Sequence, residues 1–271
     1  MEIRSAAGIT LYYHAEEEET AGLVVDACEQ TTPHLRETWG LATPAECRAY
    51  VMTSGTRMIF HAAPWPWKVL LGITFPFWAP GARRRWVIAG GWAQRFGRRA
   101  TIGIKPGRLI EAADSSIGRR IFVPDRTLPE KVQHNTCHEL THAFTDHLRL
   151  PAWLHEGLAM LAVDEVFGRR TIQTQTLDTL RALSDREAPA RGRKLDVSDP
   201  DAVIYQVVRG YWFVRYIEAT RPGLLQELLA SALPPAGLEA RVASAYDQPP
   251  AEFWAHVNAR VAAHFESVAP D

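Results

Sequence analysis

The sequence predicts an α+β fold built from two lobes. Residues 1–150 mix stretches of alternating polarity with stretches of helical periodicity, whereas residues 151–271 carry helical periodicity over most of their length. A chain of 271 residues suits one large domain or two lobes that share a cleft. We therefore expect an N-terminal α+β lobe over residues 1–150 and a C-terminal helical lobe over residues 151–271.

The first fifty residues contain two candidate strands with a long helix between them. Loose alternation over Ile3–Tyr13 predicts a strand or hairpin, and residues 48–53 predict a second strand. Residues 16–39 predict a helix, because apolar and small residues recur at steps of three and four. These positions are Val24, Ala27, Cys28, Thr31 and Leu35. Glu16–Glu19 fall in its first turn, where the helix dipole favours negative charge, so we expect them to be solvated.

A third candidate strand and a capped helix follow in the middle of the chain. Residues 118–124 predict a short strand that ends at proline. Thr127 is followed three residues later by Glu130, the pattern of a capping box. Because Pro129 suits a helix start, we expect a helix from about residue 129 to about residue 148.

The remaining residues predict a series of helices. Residues 152–167 predict a helix that is stopped by Gly168. Residues 169–200 are polar and irregular, and residues 191–194 (Arg-Gly-Arg-Lys) predict an exposed loop. Helical periodicity then returns in four stretches: residues 201–220, 223–231, 238–246 and 250–265.

Residues 61–110 form an elaboration rich in tryptophan and arginine. Residues 61–99 hold five of the nine tryptophans of the chain: Trp65, Trp67, Trp78, Trp86 and Trp92. Interleaved rings and basic side chains occur in membrane-surface and single-stranded nucleic-acid contacts. They also occur where a loop or hairpin packs its rings on the core while its arginines stay in water, and we favour this second interpretation. The longest apolar run, residues 69–80, falls short of the roughly 20 residues of a spanning helix, so we expect no transmembrane segment. A peripheral membrane contact is the less favoured alternative.

Composition narrows the classes of function. The hydrophobic fraction of 46% and the charged fraction of 23% are ordinary for a globular protein. A net charge of −1 argues against nucleic acid as a partner. Cys28, Cys47 and Cys137 form no CxxC pair, and no apolar leader follows the start, so we expect a reducing, cytoplasmic location. Cys137 precedes a histidine, but we expect a buried side chain there rather than a metal ligand.

The segment His138-Glu139-Leu140-Thr141-His142 carries the chemistry. On a helix, residues four apart lie on one face, one turn from each other, so both imidazoles can reach one ion at about 2.0–2.1 Å. Glu139 lies a quarter-turn away, where a general base can take a proton from a water at that ion. The spacing therefore predicts two metal ligands and a base within five residues.

A catalytic metal site needs a third protein ligand, and the sequence does not decide which residue supplies it. His147 does not fit the spacing of sites with three histidine ligands, in which the third follows the second by six residues. His134 lies one turn farther from an ion centred between His138 and His142. Beyond the turn at residues 150–151, Trp153-Leu-His155-Glu156-Gly offers two candidates. Neighbours on a helix point about 100° apart, so either His155 or Glu156 completes the site, not both.

Behind the HELTH helix, residues 150–159 (LPAWLHEGLA) make the chain resemble the gluzincin (peptidase MA-like) metalloproteases. The motifs cover about residues 127–162. The resemblance implies a zincin-like fold, with a lobe of mixed or antiparallel sheet plus the active-site helix, a helical lobe, and zinc in the cleft between them. It also implies one Zn²⁺ per chain and assigns Glu156 as the third ligand. Many members of the family place a tyrosine near the zinc to stabilise the oxyanion; the corresponding position here is Val207, flanked by Tyr205 and Tyr211.

These observations together predict a zinc metallopeptidase that acts on a peptide or protein substrate. His138, His142 and Glu156 are the expected ligands, Glu139 the expected general base, and Tyr205, with Tyr211 as the alternative, the expected oxyanion stabiliser. The alternative function is a metal-binding interaction module with little peptidase activity. Such a module would contact a partner or a membrane surface through the tryptophan- and arginine-rich region.

Overall fold

Five strands form one mixed sheet in the computed structural model, which describes residues 1–112, 116–182 and 200–267. The strands are β1 (Glu2–Ala6), β2 (Ile9–Tyr13), β3 (Glu46–Val51), β4 (Gly91–Phe96) and β5 (Arg99–Ile104). Their order across the sheet is β1-β2-β3-β5-β4. The β2–β3 and β3–β5 pairs are parallel, whereas the β1–β2 and β4–β5 pairs at the two edges are antiparallel. The hairpin predicted over residues 3–13 and the strand predicted at residues 48–53 are thus confirmed, the latter as β3.

Helices account for most of the remaining described residues. In chain order they are α1 (Glu18–Trp39), α2 (Gly55–Ala62), α3 (Trp65–Ile73), α4 (Phe75–Ile88), α5 (Gly107–Ala112), α6 (Ser116–Ile121), α7 (Leu128–Thr145), α8 (Ala152–Phe167), α9 (Thr176–Ala182), α10 (Pro200–Thr220), α11 (Leu224–Ala230), α12 (Pro235–Ala245) and α13 (Pro250–Ser267). The protein is therefore of the α+β class.

The chain divides into two compact units. The first comprises residues 1–37, 41–116 and 124–144, and the second comprises residues 38–40, 117–123 and 145–271. The sheet and α7 belong to the first unit, and α8 to α13 belong to the second.

In the first unit, α1 connects the parallel strands β2 and β3 and packs its predicted stripe into the core. Val24, Ala27 and Leu35 are fully buried, as is Thr31, which the periodicity included. The acidic first turn is exposed as expected except at Glu17. That side chain is buried and forms an ion pair with Arg108. The Glu17 carboxylate is therefore stabilised by an opposite charge and not, as we expected, by solvent.

The second unit has an aromatic core centred on α10. Its largest fully buried side chains include Tyr211, Trp212, Phe213 and Phe253. Trp212 donates its indole N–H to the Thr176 hydroxyl of α9 at 2.8 Å. The helices predicted over residues 201–220, 223–231, 238–246 and 250–265 are confirmed as α10 to α13.

Two local predictions are wrong. Residues 118–124 are mostly helical, as α6, and only Phe122 forms a β-bridge, with Ile172. An extended segment needs a partner strand along its length, and these two residues form an isolated bridge. Within the stretch expected to be irregular, residues 176–182 form α9, which is too short to show periodicity. The loop predicted at residues 191–194 lies outside the described residues.

The elaboration at residues 61–110 is not a loop or simple hairpin, because α3, α4 and the β4–β5 hairpin fill most of it. Trp78, Trp86 and Trp92 are buried or half-buried, as expected for rings that pack on the core. The expectation is wrong for Trp65, which is 76% exposed. Trp67 is 46% exposed, but its ring packs edge-on against buried Phe96 with ring centroids 5.9 Å apart. In the described part of the chain, no helix combines the length and apolar character that crossing a bilayer requires.

Candidate metal centre

Helix α7 carries the HELTH segment and is anchored at its start by the predicted cap. The backbone N–H of Glu130 donates to the Thr127 hydroxyl at 3.3 Å, and the Glu130 carboxylate accepts from the backbone N–H of Arg126 at 2.8 Å. The carboxylate thus bonds one residue earlier than in the usual capping box. Val132, Leu140 and Phe144 bury one face of the helix completely. These contacts hold the backbone that carries the site.

The two predicted imidazoles converge, as their spacing requires. Nε2 of His142 lies 3.0 Å from Nε2 of His138, and the ring planes are almost perpendicular at 85°. One carboxylate oxygen of Glu156 completes the group, in which all ligand atoms lie within 4.8 Å of one another. Within the described residues these three side chains therefore form a cluster that could hold a metal ion.

The protonation state of His142 suits a metal ligand. His142 is 6% exposed, and burial lowers the pKa of its imidazole from 6.5 to about 4. The ring is therefore neutral at neutral pH and can offer a nitrogen lone pair. Two imidazole nitrogens and one carboxylate oxygen are a donor set found in catalytic zinc sites, which keep a further position open.

Helix α8 begins soon after α7 and presents Glu156 in its second turn. The turn between them contains Arg149 in the left-handed conformation (φ 54°), and Pro151 precedes the first residue of α8. The predicted stop at Gly168 is confirmed, with φ 63° at the helix end.

The glycine that follows Glu156 allows close packing inside the second unit. A Cβ atom at Gly157 would lie 2.3 Å from the carbonyl oxygen of Gly210 on α10. Only a pair of glycines permits this approach of two helices. Farther along α8, the Asp164 carboxylate accepts hydrogen bonds from the Thr171 backbone and from Tyr211 and Arg215 of α10. The helix that bears Glu156 therefore contacts α10 closely at Gly157 and is hydrogen-bonded to it at Asp164.

Glu139, the predicted base, is 9% exposed and packs against the edge strand β4. A Cβ atom at Gly91 would lie 2.5 Å from Cγ of Glu139, and one at Gly90 would lie 2.6 Å from Nδ2 of Asn135. The two consecutive glycines thus leave the space that the side chains of α7 occupy. Since Gly91 pairs with Ile104 in the sheet, its backbone is held in place.

The other histidines of the region lie elsewhere. His134 is buried, and its Nδ1 atom lies 2.7 Å from a carboxylate oxygen of Asp125. His147 is exposed on the short 3₁₀ turn after α7. His155 is half-buried and is not part of the cluster. Cys137 is fully buried, as expected, and burial raises the pKa of its thiol to about 12, which keeps it protonated at neutral pH.

The two candidate tyrosines have different surroundings on α10. The hydroxyl of Tyr211, which is fully buried, donates to Asp164 at 2.6 Å. Tyr205 is half-buried, and its hydroxyl accepts a hydrogen bond from Nδ2 of Asn258 at 2.9 Å. Val207, the position that corresponds to the family's tyrosine, is buried.

Sequence reasoning missed two polar groups of the first unit, Asn135 and Lys105, whose polar atoms or side chains are buried. Asn135 lies one helical turn before it, and its Nδ2 atom is buried with no hydrogen-bond partner among the described residues. The same four-residue spacing that paired the histidines could have identified this residue. Lys105 follows the strand position paired with Gly91; it is 2% exposed, and burial lowers the pKa of its amine to about 8. A lone lysine after a strand carries no signal in the sequence.

Comparisons of the chain with family models, with curated proteins and with solved structures find no significant match. The functional assignment therefore depends on the chemistry of these residues and on the motif resemblance.

Proposed function

We propose that the protein is a zinc-dependent peptidase. One observation carries the proposal: the ligand atoms of His138, His142 and Glu156 lie within 4.8 Å of one another, and the buried Glu139 follows the first of them on the same helix. A metal-binding cluster beside a buried carboxylate is the arrangement that water-activating hydrolases use. The resemblance of residues 150–159 to the gluzincin motif supports peptides or proteins as the substrate class.

In this proposal the side chains of the cluster hold the ion. The two imidazoles bind through Nε2 and Glu156 through a carboxylate oxygen. When bound, zinc supplies a Lewis acid and lowers the pKa of water towards 7. The choice of zinc follows from the donor set, since two nitrogens and one carboxylate oxygen suit this metal better than they suit calcium or magnesium, which prefer oxygen ligands.

Glu139 moves the proton in this mechanism. Its carboxylate accepts a proton from the attacking water while the water oxygen bonds to the scissile carbonyl carbon. When the carbon–nitrogen bond breaks, the protonated Glu139 delivers that proton to the leaving amine. Burial against Gly91 restricts the rotamers of this side chain and so keeps the carboxylate on one side of α7.

Tyr205 is the better candidate to stabilise the oxyanion. Its hydroxyl accepts from Asn258, so its own proton remains available to donate to a developing negative charge. Tyr211 already donates its proton to Asp164. We assign Tyr211 a role in holding α8 against α10 instead.

The test is Glu139→Gln, which keeps the shape of the side chain and removes the base. We expect the purified variant to retain one zinc per chain and to lose chelator-sensitive cleavage of an unbiased peptide library by about 10²-fold or more. Glu252→Gln, a change at an exposed glutamate of α13, is the matched control and should cleave as the wild type does. Undiminished cleavage by the Glu139 variant would reject the mechanism.

The alternative, a metal-binding interaction module, gives a different result in the same assay. The wild-type protein would then bind metal and cleave nothing in the library. The exposed rings of α3 are the observation that favours an interaction role, but an interaction surface and a peptidase site are compatible in one chain.

A further inference from the structure

Helix α3 presents an apolar face to solvent. Its sequence is WPWKVLLGI, in which Lys68 is the one polar residue, and none of its nine residues is buried. Trp65 and Ile73 are 76% and 73% exposed, and Val69 between them is 47% exposed. These three lie four residues apart, so they share the outward face. A surface helix ordinarily turns polar side chains outwards, and α3 does the opposite.

Helix α4, which follows directly after α3, also exposes apolar side chains. Phe77 at its start is 87% exposed, and Val87 near its end is 67% exposed. Seven of the ten exposed large apolar side chains of the described residues lie between residues 65 and 87. We call this surface the α3–α4 face. On an ordinary protein surface, exposed apolar residues are scattered singly. Here seven of them lie within 23 residues of the sequence.

Packed aromatic rings support the α3–α4 face from the inner side. On the inner side, the rings of Phe60, Phe75 and Trp78 pack together with centroid distances of 5.5 to 6.0 Å. The indole of Trp78 also donates to the carbonyl of Leu71 at 2.9 Å. The outward rings are therefore presented by ordered helices.

The charges in the segment that carries the face are of one sign. Residues 47–110 contain eleven Lys or Arg and no Asp or Glu, although the whole chain has a net charge of −1. Arg83 and Arg84 of α4 are exposed beyond the apolar residues of α3. The net charge of the whole chain is near zero, but residues 47–110 are strongly basic. This basic segment includes the helices that carry the exposed apolar side chains.

We propose that the α3–α4 face docks on an anionic lipid bilayer. Trp65, Ile73 and Phe77 enter the boundary between headgroups and acyl chains, and Arg83 and Arg84 contact lipid phosphates. Apolar and aromatic residues on one side with basic residues beside them are the features of helices that lie in the plane of the interface. This inference is independent of the peptidase proposal.

The chemistry of the face favours lipid over other occupants. Outward aliphatic side chains such as Val69 and Ile73 cannot stack on nucleobases, which single-stranded nucleic acids require of their binding surfaces. A protein partner or a second copy would need hydrogen-bonding groups and about 800 Å² per partner. The outward face of α3 offers only one such group, the indole N–H of Trp65, and α3 is only about 13 Å long at about 1.5 Å per residue.

The test is co-sedimentation of the full chain with vesicles of phosphatidylcholine containing about one third phosphatidylserine. We expect the wild type to bind these vesicles and the triple variant Trp65→Ser, Ile73→Ser, Phe77→Ser to bind at least about 100-fold more weakly, since each side chain of this size adds roughly tenfold. Ile3→Ser, a change at a 61% exposed residue of β1, is the matched control and should bind as the wild type does.

A second pair of variants separates charge from apolar insertion. Arg83→Gln with Arg84→Gln should weaken binding to the anionic vesicles by about tenfold or more and leave weak binding to pure phosphatidylcholine unchanged. Raising the salt from about 0.1 M to about 1 M should have the same effect on the wild type, because it shortens the Debye length from about 10 Å to about 3 Å. Glu139→Gln should bind like the wild type, so loss of peptidase activity and loss of docking are distinguishable.

Three results would overturn the proposal. The first is absence of binding to anionic vesicles by a wild type whose circular dichroism is native. The second is equal binding by the triple variant. The third is evidence for a different occupant of the face. The wild type would bind a single-stranded oligonucleotide more tightly than vesicles, or it would be a dimer in sedimentation equilibrium while the triple variant is a monomer.

Discussion

Gly91→Ala is the substitution that tests the site most directly, because it adds one methyl group beside the proposed base. The added Cβ would lie 2.5 Å from Cγ of Glu139 and 3.1 Å from its Cδ and Oε1 atoms. Nonbonded carbon atoms ordinarily approach to about 3.5–4.0 Å. The two groups must therefore separate by about 1 Å or more.

The side chain of Glu139 has to make that movement. Gly91 is paired with Ile104 inside the sheet, and α7 is held by its fully buried apolar face, so neither backbone can yield easily. A misplacement of about 1 Å at a reacting group can lower a rate by about 10²-fold, and a general base contributes about 10²–10⁴-fold. We expect kcat to fall about a hundredfold while the zinc content remains one per chain. Overpacking should destabilise the fold by about 1–3 kcal/mol.

The assay combines cleavage of the peptide library, elemental analysis for zinc and urea unfolding. Gly22→Ala in α1 is the control, because a Cβ atom there would have nothing within 4 Å. That change should leave cleavage unaltered and stabilise the helix by up to about 1 kcal/mol. If Gly91→Ala folds normally and cleaves at the wild-type rate, Glu139 is not the base.

Three further predictions concern the third ligand, the packing of α8 and the titration of His142. Glu156→Ala should lower the zinc content well below one per chain after dialysis, whereas His155→Ala should not; the reverse pattern would transfer the ligand role to His155. Gly157→Ala should destabilise the protein by about 3 kcal/mol in urea unfolding, because its Cβ would lie 2.3 Å from a backbone oxygen that no side-chain rotation can move. A stability equal to that of the wild type would show that α8 and α10 can separate without cost. Burial lowers the pKa of His142 from 6.5 to about 4, so the unfolded chain binds a proton in this range that the folded chain does not. The metal-free protein should therefore lose up to about 3 kcal/mol of its unfolding free energy as the pH falls from 6.5 to 4. His142→Gln should lack this part of the slope, and equal slopes in both proteins would show that the buried imidazole titrates normally.

The motifs that follow from local geometry were predictable from the sequence. The helix period alone places His138 and His142 on one face, and the Thr127 cap and the Gly168 stop bound their helices within a few residues. The stripe from Val24 to Leu35 indicated the buried face of α1 for the same reason. Each of these features depends on residues within one or two turns of each other, so the amino-acid order contains the necessary information.

Other features depended on contacts between distant segments. The spacing left His155 and Glu156 as equal candidates, and only the tertiary structure shows that Glu156 joins the two imidazoles. The role of Gly90 and Gly91 as the space for Asn135 and Glu139 is equally invisible along the chain. Residues 118–124 predicted a strand that ends at proline, but the residues up to Ile121 belong to α6 and only Phe122 forms a bridge, with the distant Ile172.

The order of the residues predicted an α+β protein with two histidines on one face of a helix, because periodicity and residue spacing are properties of the chain itself. Tertiary structure decided the rest. It brought Glu156 to the two imidazoles, buried Glu139 against an edge strand, and left Trp65 exposed where the sequence predicted a packed ring. The physical reason is that burial is set by which surfaces meet, and the same tryptophan is a core residue or an exposed one according to what lies against it.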